Sequence, residues 1–114
     1  MANKKVITFI EDIDEFIREM RHSREVHFLY RKTNGALRDA YGTKCFTEIP
    51  KSLWPKGISP TPDYLFKYWD TQRGGWRTML KEKFVAYEEV DPSMYVKEED
   101  LINLNINQKF KHYE

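Results

Sequence analysis

The stretch Val26-His27-Phe28-Leu29-Tyr30-Arg31-Lys32-Thr33-Asn34-Gly35-Ala36-Leu37-Arg38-Asp39-Ala40-Tyr41-Gly42-Thr43 decides the fold of this chain. Within it, two runs of alternating residues flank the dipeptide Asn34-Gly35. Asparagine and glycine both tolerate positive φ, which a two-residue type I′ turn requires at its two central positions. The stretch therefore predicts a β-hairpin that is closed by a two-residue turn.

A two-residue turn fixes which residues of the hairpin oppose one another. It places Arg31 directly opposite Arg38, and like charges in opposed positions repel unless an anion or an acid offsets them. The pair is therefore a candidate anion site, unless both guanidinium groups simply extend into water. The opposite face of the hairpin is expected to face the core and consists of Val26, Phe28, Leu37 and Tyr41.

A helix is predicted before the hairpin and three more strands after it. Apolar residues recur at helical spacing over residues 8–21, and Thr8 followed by Glu11 matches a capping box. Alternating or apolar runs predict strands near 64–70, 76–80 and 84–87. The elements together predict a mainly β (α+β) fold, a small five-stranded barrel with an N-terminal amphipathic helix.

Two segments do not fit this regular pattern. Residues 44–63 contain four of the five prolines and predict a long loop, for which Trp54 is either a buried anchor or an exposed stacking platform. Residues 91–114 are acidic and rich in asparagine, with a short helix expected near 97–104. We therefore expect a domain over residues 1–90 and a C-terminal tail over residues 91–114.

Charge is segregated along the chain although the net charge is only +1. Residues 22–87 hold twelve Lys and Arg against six Asp and Glu, whereas residues 88–114 hold three against seven. This pattern is typical of a polyanion-binding body, and the acidic tail could fold back on it as a shield. Ordinary solvated surface would give the same composition.

The sequence excludes several classes of protein. The single Cys45 cannot form an internal disulfide, and no apolar run approaches the length needed to span a bilayer, so a cytoplasmic location without membrane contact is expected. No clustered metal ligands, glycine-rich phosphate loop or catalytic triad can be identified. We therefore expect neither a cofactor nor enzymatic activity.

Binding is better supported, because basic residues alternate with aromatic residues along the predicted strands. Arginine binds phosphate oxygens at two points, and aromatic faces stack on bases. Tyr68 and Trp69 could instead belong to the core. The candidate ligand-binding residues are Tyr30, Arg31, Arg38, Tyr68, Trp69 and Arg77.

A set of spaced residues also carries a resemblance to a known family. The positions are Val26, Phe28, Tyr30, Lys32, Gly35, Arg38, Ala40, Gly42-Thr43, Ile49-Pro50, Tyr68, Asp70 and Trp76-Arg77. Over about residues 24–87 the chain resembles a family of phage and Bacteroides-type bacterial proteins, described as an Sm-like, SH3-type β-barrel related to the WYL domain. The resemblance implies an SH3/Sm-like barrel.

The resemblance also implies a function. WYL domains are ligand-sensing modules of bacterial regulators that bind nucleic acid or nucleotide-like ligands through a basic, aromatic groove. The positions of this chain that match the residues of that groove are Tyr30, Arg38, Tyr68 and Arg77. The chain departs from complete WYL regulators because it lacks a helix-turn-helix and a literal Trp-Tyr-Leu motif. We expect a non-enzymatic regulatory module that binds single-stranded nucleic acid or a nucleotide. The alternative is a protein-interaction or assembly module of a phage or mobile element, with a second copy or another protein as partner.

Overall fold

A computed structural model describes residues 7–54, 61–97 and 99 of the chain. The helix and strands of these residues are β1 (Phe9–Ile10), α1 (Ile13–His22), β2 (Val26–Arg31), β3 (Leu37–Thr43), β4 (Leu65–Asp70), β5 (Gly75–Leu80) and β6 (Phe84–Glu88). Short 3₁₀ helices lie at Phe46–Glu48, Lys51–Leu53, Lys81–Lys83 and Pro92–Met94. Most of the predicted helix near 97–104 and part of the proline-rich loop lie outside the described residues.

The strands form one antiparallel sheet in the order β1-β6-β2-β3-β4-β5. Because β2 pairs with both β3 and β6, the last strand returns beside the first long strand, as a small barrel requires. The five predicted strands are confirmed as β2 to β6. A short sixth strand is added, since Phe9 and Ile10 pair with Glu88 and Tyr87 of β6.

The helix begins later than the sequence predicted. Asp12, not Thr8, is the N-cap, and its carboxylate accepts hydrogen bonds from the backbone N–H groups of Asp14 and Glu15. The predicted capping box of Thr8 and Glu11 was therefore wrong. The physical reason is that pairing with β6 draws the segment before Asp12 into the sheet, and an aspartate caps a helix as well as a threonine does.

The hairpin has a different turn from the predicted one. Lys32 and Ala36 close a three-residue loop, in which the Gly35 N–H donates to the Lys32 carbonyl and Gly35 has a φ of 86°. This is a common three-residue hairpin, in which one residue in the left-handed region restores the strand pairing. Tyr30 is consequently opposite Arg38, and Arg31 is opposite Leu37. The prediction that Arg31 opposes Arg38 was wrong.

The shift of one residue exchanges the two faces of β3. Leu37, predicted to be in the core, is 50% exposed, and Tyr41 lies on the outer face, stacked on His27. Ala40, predicted to be on the outer face, is buried. The inner face of β3 therefore carries Arg38 rather than a large apolar residue.

The helix closes the core through Phe16, which is fully buried. Its ring lies 4.8 Å from that of Phe28, 5.2 Å from that of Phe66 and 4.7 Å from that of Phe84, measured between ring centres. These rings come from three different strands, so α1 joins them into one core. The helix end is attached to the barrel by Thr43, whose hydroxyl donates to the Ser23 carbonyl at 2.6 Å.

The proline-rich segment packs on the outer face of β4 and β5. Trp69 is buried there with Phe46 and Ile49, and the half-buried Trp54 and Trp76 cover this second cluster. The indole N–H of Trp54 donates to the Ile49 carbonyl at 2.9 Å. Of the two alternatives for Trp54, the structure shows the anchor rather than an exposed stacking platform.

Candidate ligand-binding site

Four of the predicted binding residues lie on the inner face of the sheet in two opposed pairs. Tyr30 opposes Arg38 across β2 and β3, and Tyr68 opposes Arg77 across β4 and β5. The Asp70 carboxylate is on the same face of β4, two residues after Tyr68. We call these five residues the inner polar cluster: Tyr30, Arg38, Tyr68, Asp70 and Arg77.

One cation of the inner polar cluster is neutralised by its own acid. Arg77 Nε lies 3.0 Å from Asp70 Oδ2, and the Asp70 side chain is only 5% exposed. The other carboxylate oxygen of Asp70 accepts hydrogen bonds from the backbone N–H groups of Gln72 and Arg73, both at 2.9 Å. Asp70 therefore holds both Arg77 and the turn between β4 and β5, which gives Arg77 a structural role.

The other cation has no such partner. Arg38 is half-buried, its Nε is buried, and this N–H has no acceptor among the residues that the structure describes. The hydroxyl of the fully buried Tyr68 has no partner in good hydrogen-bond geometry among the described residues, although Tyr30 is close enough to act on its pKa through a hydrogen bond. Buried polar groups are nearly always hydrogen bonded, so the Arg38 Nε–H is available to an acceptor.

The surroundings of Tyr68 keep its hydroxyl protonated. Burial raises the pKa of Tyr68 well above its ordinary value. Tyr30, through the charge it carries when ionised and through a side-chain hydrogen bond, and the charge of Asp70 raise this pKa further. Arg38 acts in the opposite direction and lowers the pKa, as expected of a guanidinium close to the phenol. Tyr68 is therefore a neutral hydrogen-bond donor beside a cation.

The charge of the inner polar cluster is unbalanced. It contains two guanidinium groups and one carboxylate, and that carboxylate already contacts Arg77. Arg38 presents several N–H donors in a fixed planar arrangement that matches an oxyanion such as phosphate or carboxylate. An anion at Arg38 would neutralise its charge and provide the acceptor that the Arg38 Nε and the Tyr68 hydroxyl lack.

The remaining two predicted site residues lie elsewhere. Arg31 is exposed on the outer face and donates to the Gly35 carbonyl at 3.0 Å, so it belongs to the hairpin turn. Trp69 is 6% exposed in the second hydrophobic cluster, with its ring edge-on to Trp76. Neither residue is brought together with Arg38 and Tyr68.

The outer face has a wider, acidic pocket that sequence reasoning missed. This pocket of about 430 Å³ is lined by residues that include His27, Glu25 and Glu88. The ring nitrogens of His27 lie 2.9 Å from Asp39 and 3.2 Å from Glu88, so the imidazole joins β2, β3 and β6. In the described part of the chain, no three His, Cys, Asp or Glu side chains are grouped closely enough to hold a metal ion.

A second cavity, between α1 and β4, is lined by basic residues. Lys44 and Lys67 are among the cations that the alternation of basic and aromatic residues had indicated. Arg21 and Lys81 were missed, because one lies in the helix and the other in a polar turn. The packing of the helix against the barrel adds Arg21 to the three lysines, which lie outside the helix.

The fold is a small barrel of the Sm-like, SH3 class. Three features define it: the strand order, the 3₁₀ turn between β5 and β6, and the helix before the barrel. The sequence comparison agrees. The chain belongs to the family WYL_2, described as having an Sm-like SH3 beta-barrel fold, and the match covers residues 13–85, more than half of the chain.

No curated protein and no solved structure matches the chain. None of the helices in the residues described above is long and apolar enough to cross a membrane.

Proposed function

We propose that this protein is a non-enzymatic regulatory binding module for single-stranded nucleic acid or a nucleotide-like ligand, bound through the basic and aromatic residues of the inner polar cluster. The observation that carries the proposal is Arg38. It is a half-buried cation whose Nε–H has no acceptor among the described residues, and it lies beside the buried hydroxyl of Tyr68. A phosphate group has the charge and the acceptor oxygens that both groups require.

Tyr30 supplies the aromatic component of the proposed contact. Its ring is partly buried against the core, stacked at 6.0 Å on Phe28, and is opposite Arg38 in the neighbouring strand. A base next to the bound phosphate could contact the remaining exposed part of this ring, since every base has a stacking face. Tyr68 contributes a hydroxyl rather than a stacking surface, because its ring is fully buried.

The experiment is a titration of a fluorescein-labelled oligothymidylate by anisotropy, with wild type, Arg38→Ala and Arg31→Ala. These two arginines lie close together in the same hairpin but on opposite faces, so Arg31→Ala is a matched control for lost charge. We expect Arg38→Ala to weaken binding by about tenfold or more, as the loss of a charge-assisted contact does. Arg31→Ala should change it less than about threefold, which is the effect of net charge alone.

Salt dependence separates this contact from apolar adhesion. Binding through phosphates weakens as salt rises because counterions are released from the nucleic acid. We expect a smaller salt slope for Arg38→Ala than for wild type. Equal loss of affinity in both arginine variants, or binding that does not respond to salt, would contradict the proposal.

An assembly module is the second candidate, and the edge of β5 favours it. In the described residues β5 pairs with β4 alone, so the backbone groups along its other side can pair with another chain. The amphipathic helix does not offer its apolar face to such a partner, since Phe16 and Met20 are fully buried in the protein's own core. Sedimentation velocity over a range of concentrations tests it, and a monomer at every concentration would argue against self-assembly.

A further inference from the structure

A small basic cavity lies where the end of α1 meets β4 and the turn after β5. Its volume is about 100 Å³, and the described residues that line it include Arg21, Lys44, Lys67 and Lys81 together with the acid Asp63. We call this cavity the basic cleft. Arg21, Lys67 and Lys81 bring positive charge to this small space, and an anion bound there would neutralise part of it.

Aromatic rings hold two of the cations at the basic cleft. Lys44 Nζ lies 5.3 Å from the centre of the Phe66 ring, and Lys67 Nζ lies 5.1 Å from the centre of the Trp76 ring. Cation–π contacts of this kind favour one position of an ammonium group over the many positions that a solvated lysine samples. The Lys44 ammonium is therefore held at the Phe66 ring, which itself lines the cleft.

Arg21 adds an unsatisfied donor. It lies in the last turn of α1, and its Nε is buried without a hydrogen-bond partner in the part of the chain that the structure describes. A buried N–H normally has an acceptor. The charge and the missing acceptor are two separate observations that point to the same kind of ligand, a small oxyanion.

We infer that the basic cleft binds one phosphate group. Its volume is well below the roughly 300 Å³ at which pockets for larger organic ligands begin, so a single tetrahedral anion fits where a nucleoside does not. The cleft shares no residue with the inner polar cluster, and it binds phosphate whether or not the proposed function holds. The phosphate comes either from solution or from a nucleic-acid backbone.

The experiment follows the arginine Nε–H signals of the full chain by ¹H–¹⁵N NMR while inorganic phosphate is added. A parallel titration with sodium chloride at matched ionic strength controls for screening. We expect the Arg21 signal to shift saturably with phosphate and to change little with chloride. An equal shift with both salts, or a shift with phosphate that never saturates, would overturn the site.

Two pairs of lysines provide matched variants. Lys67 and Lys51 each lie over a tryptophan ring, and Lys81 and Lys83 belong to the same 3₁₀ turn, but only Lys67 and Lys81 line the cleft. We expect K67Q/K81Q to weaken phosphate binding by about tenfold, and K51Q/K83Q to leave it within about twofold. Equal weakening in both double variants would reduce the site to general surface charge and overturn it.

Two further arms separate this site from the proposed function and identify the source of phosphate. Arg38→Ala should leave the Arg21 titration unchanged, so that each proposal can fail without the other. A titration with oligothymidylate identifies the source of the phosphate. If the Arg21 shift saturates at a lower concentration of oligothymidylate than of inorganic phosphate, the cleft binds a backbone phosphate. If oligothymidylate saturates the shift only at a higher concentration than inorganic phosphate does, the cleft binds free phosphate.

Discussion

Tyr30 and Arg38 are directly opposed in the β2–β3 pair, and both lie on the inner face of the sheet. This register, set by a three-residue loop, moves Arg38 from the solvent side of the hairpin to the side of the core. An arginine in such a position costs stability unless its charge and its donors are satisfied. The proposed phosphate ligand would supply both the opposite charge and the acceptor.

Arg38 should therefore be retained at a cost in stability. Methionine has a similar length and no charge, so Arg38→Met keeps much of the packing and removes the buried donor that has no acceptor. We expect the free energy of unfolding to rise by about 1 kcal/mol, while oligonucleotide binding is lost. Urea unfolding of wild type and variant measures the change, and a variant clearly less stable than wild type would show that Arg38 is structural.

The ionisation of Tyr68 should make stability fall in alkaline solution. Burial raises the pKa of Tyr68 in the folded protein, so the unfolded chain releases this proton first as pH rises past the ordinary value of 10.0. Release of the proton favours the unfolded state, and stability is lost above that pH. Tyr87, whose pKa is raised by burial and by Glu15 and Glu19, acts in the same direction.

Thermal unfolding between about pH 8 and pH 11 tests this dependence, because the interval spans the ordinary tyrosine pKa. Tyr68→Phe should flatten the alkaline decline, and should cost little stability at pH 8 because the hydroxyl has no well-formed hydrogen bond among the described residues. Tyr64→Phe is the control, since Tyr64 is 64% exposed. The same alkaline slope in Tyr68→Phe as in wild type would contradict the placement of Tyr68.

Asp70 should be one of the most sensitive polar positions. Asp70→Asn keeps the size of the side chain but removes the charge that neutralises Arg77, and it weakens the acceptor for the turn. We expect a loss of about 2–3 kcal/mol, toward the lower end for a buried pair because Arg77 is partly exposed. Asp39→Asn, at a side chain that is 69% exposed, should cost less than about 1 kcal/mol in the same urea assay. Similar losses at the two positions would be evidence against a buried ion pair.

Gly35 should be required by the hairpin turn. Its φ of 86° lies in the left-handed region, where an alanine is strained although nothing lies within 4 Å of the added Cβ. We expect Gly35→Ala to destabilise the protein by about 1–2 kcal/mol. Gly75→Ala is the control, because Gly75 also has open space around it but no positive φ. Equal unfolding free energies for the two variants would indicate a turn of another type.

The sequence was sufficient for most of the fold because its signals are local. Alternation in β2 and the Asn34-Gly35 dipeptide predict a hairpin, and the apolar stripe that includes Phe16 and Met20 predicts the helix. The register of the hairpin is not local. Asn-Gly fits both a two-residue and a three-residue turn. Strand β4 favours the second, because a Cβ at Gly42 would lie 2.5 Å from Tyr68 Cδ2, and only glycine fits there.

The candidate site was predictable to the same extent. Four of the residues that the sequence indicated for ligand binding do share the inner face of the sheet. They lie there in two opposed pairs, Tyr30 with Arg38 and Tyr68 with Arg77. Arg31 was selected because the turn was taken to be one residue shorter. Trp69 was selected because the sequence does not reveal that the segment with Phe46 and Ile49 covers the outer face of β4.

The most direct test of the central claim is the Arg38 Nε–H signal in a ¹H–¹⁵N NMR titration with oligothymidylate. The variant Arg38→Ala assigns this signal, and the Arg31 Nε–H signal in the same spectrum is the internal reference. The account predicts that the Arg38 signal shifts saturably, with the affinity measured by anisotropy, while the Arg31 signal stays in place. Binding by anisotropy with an Arg38 signal that does not move would contradict it.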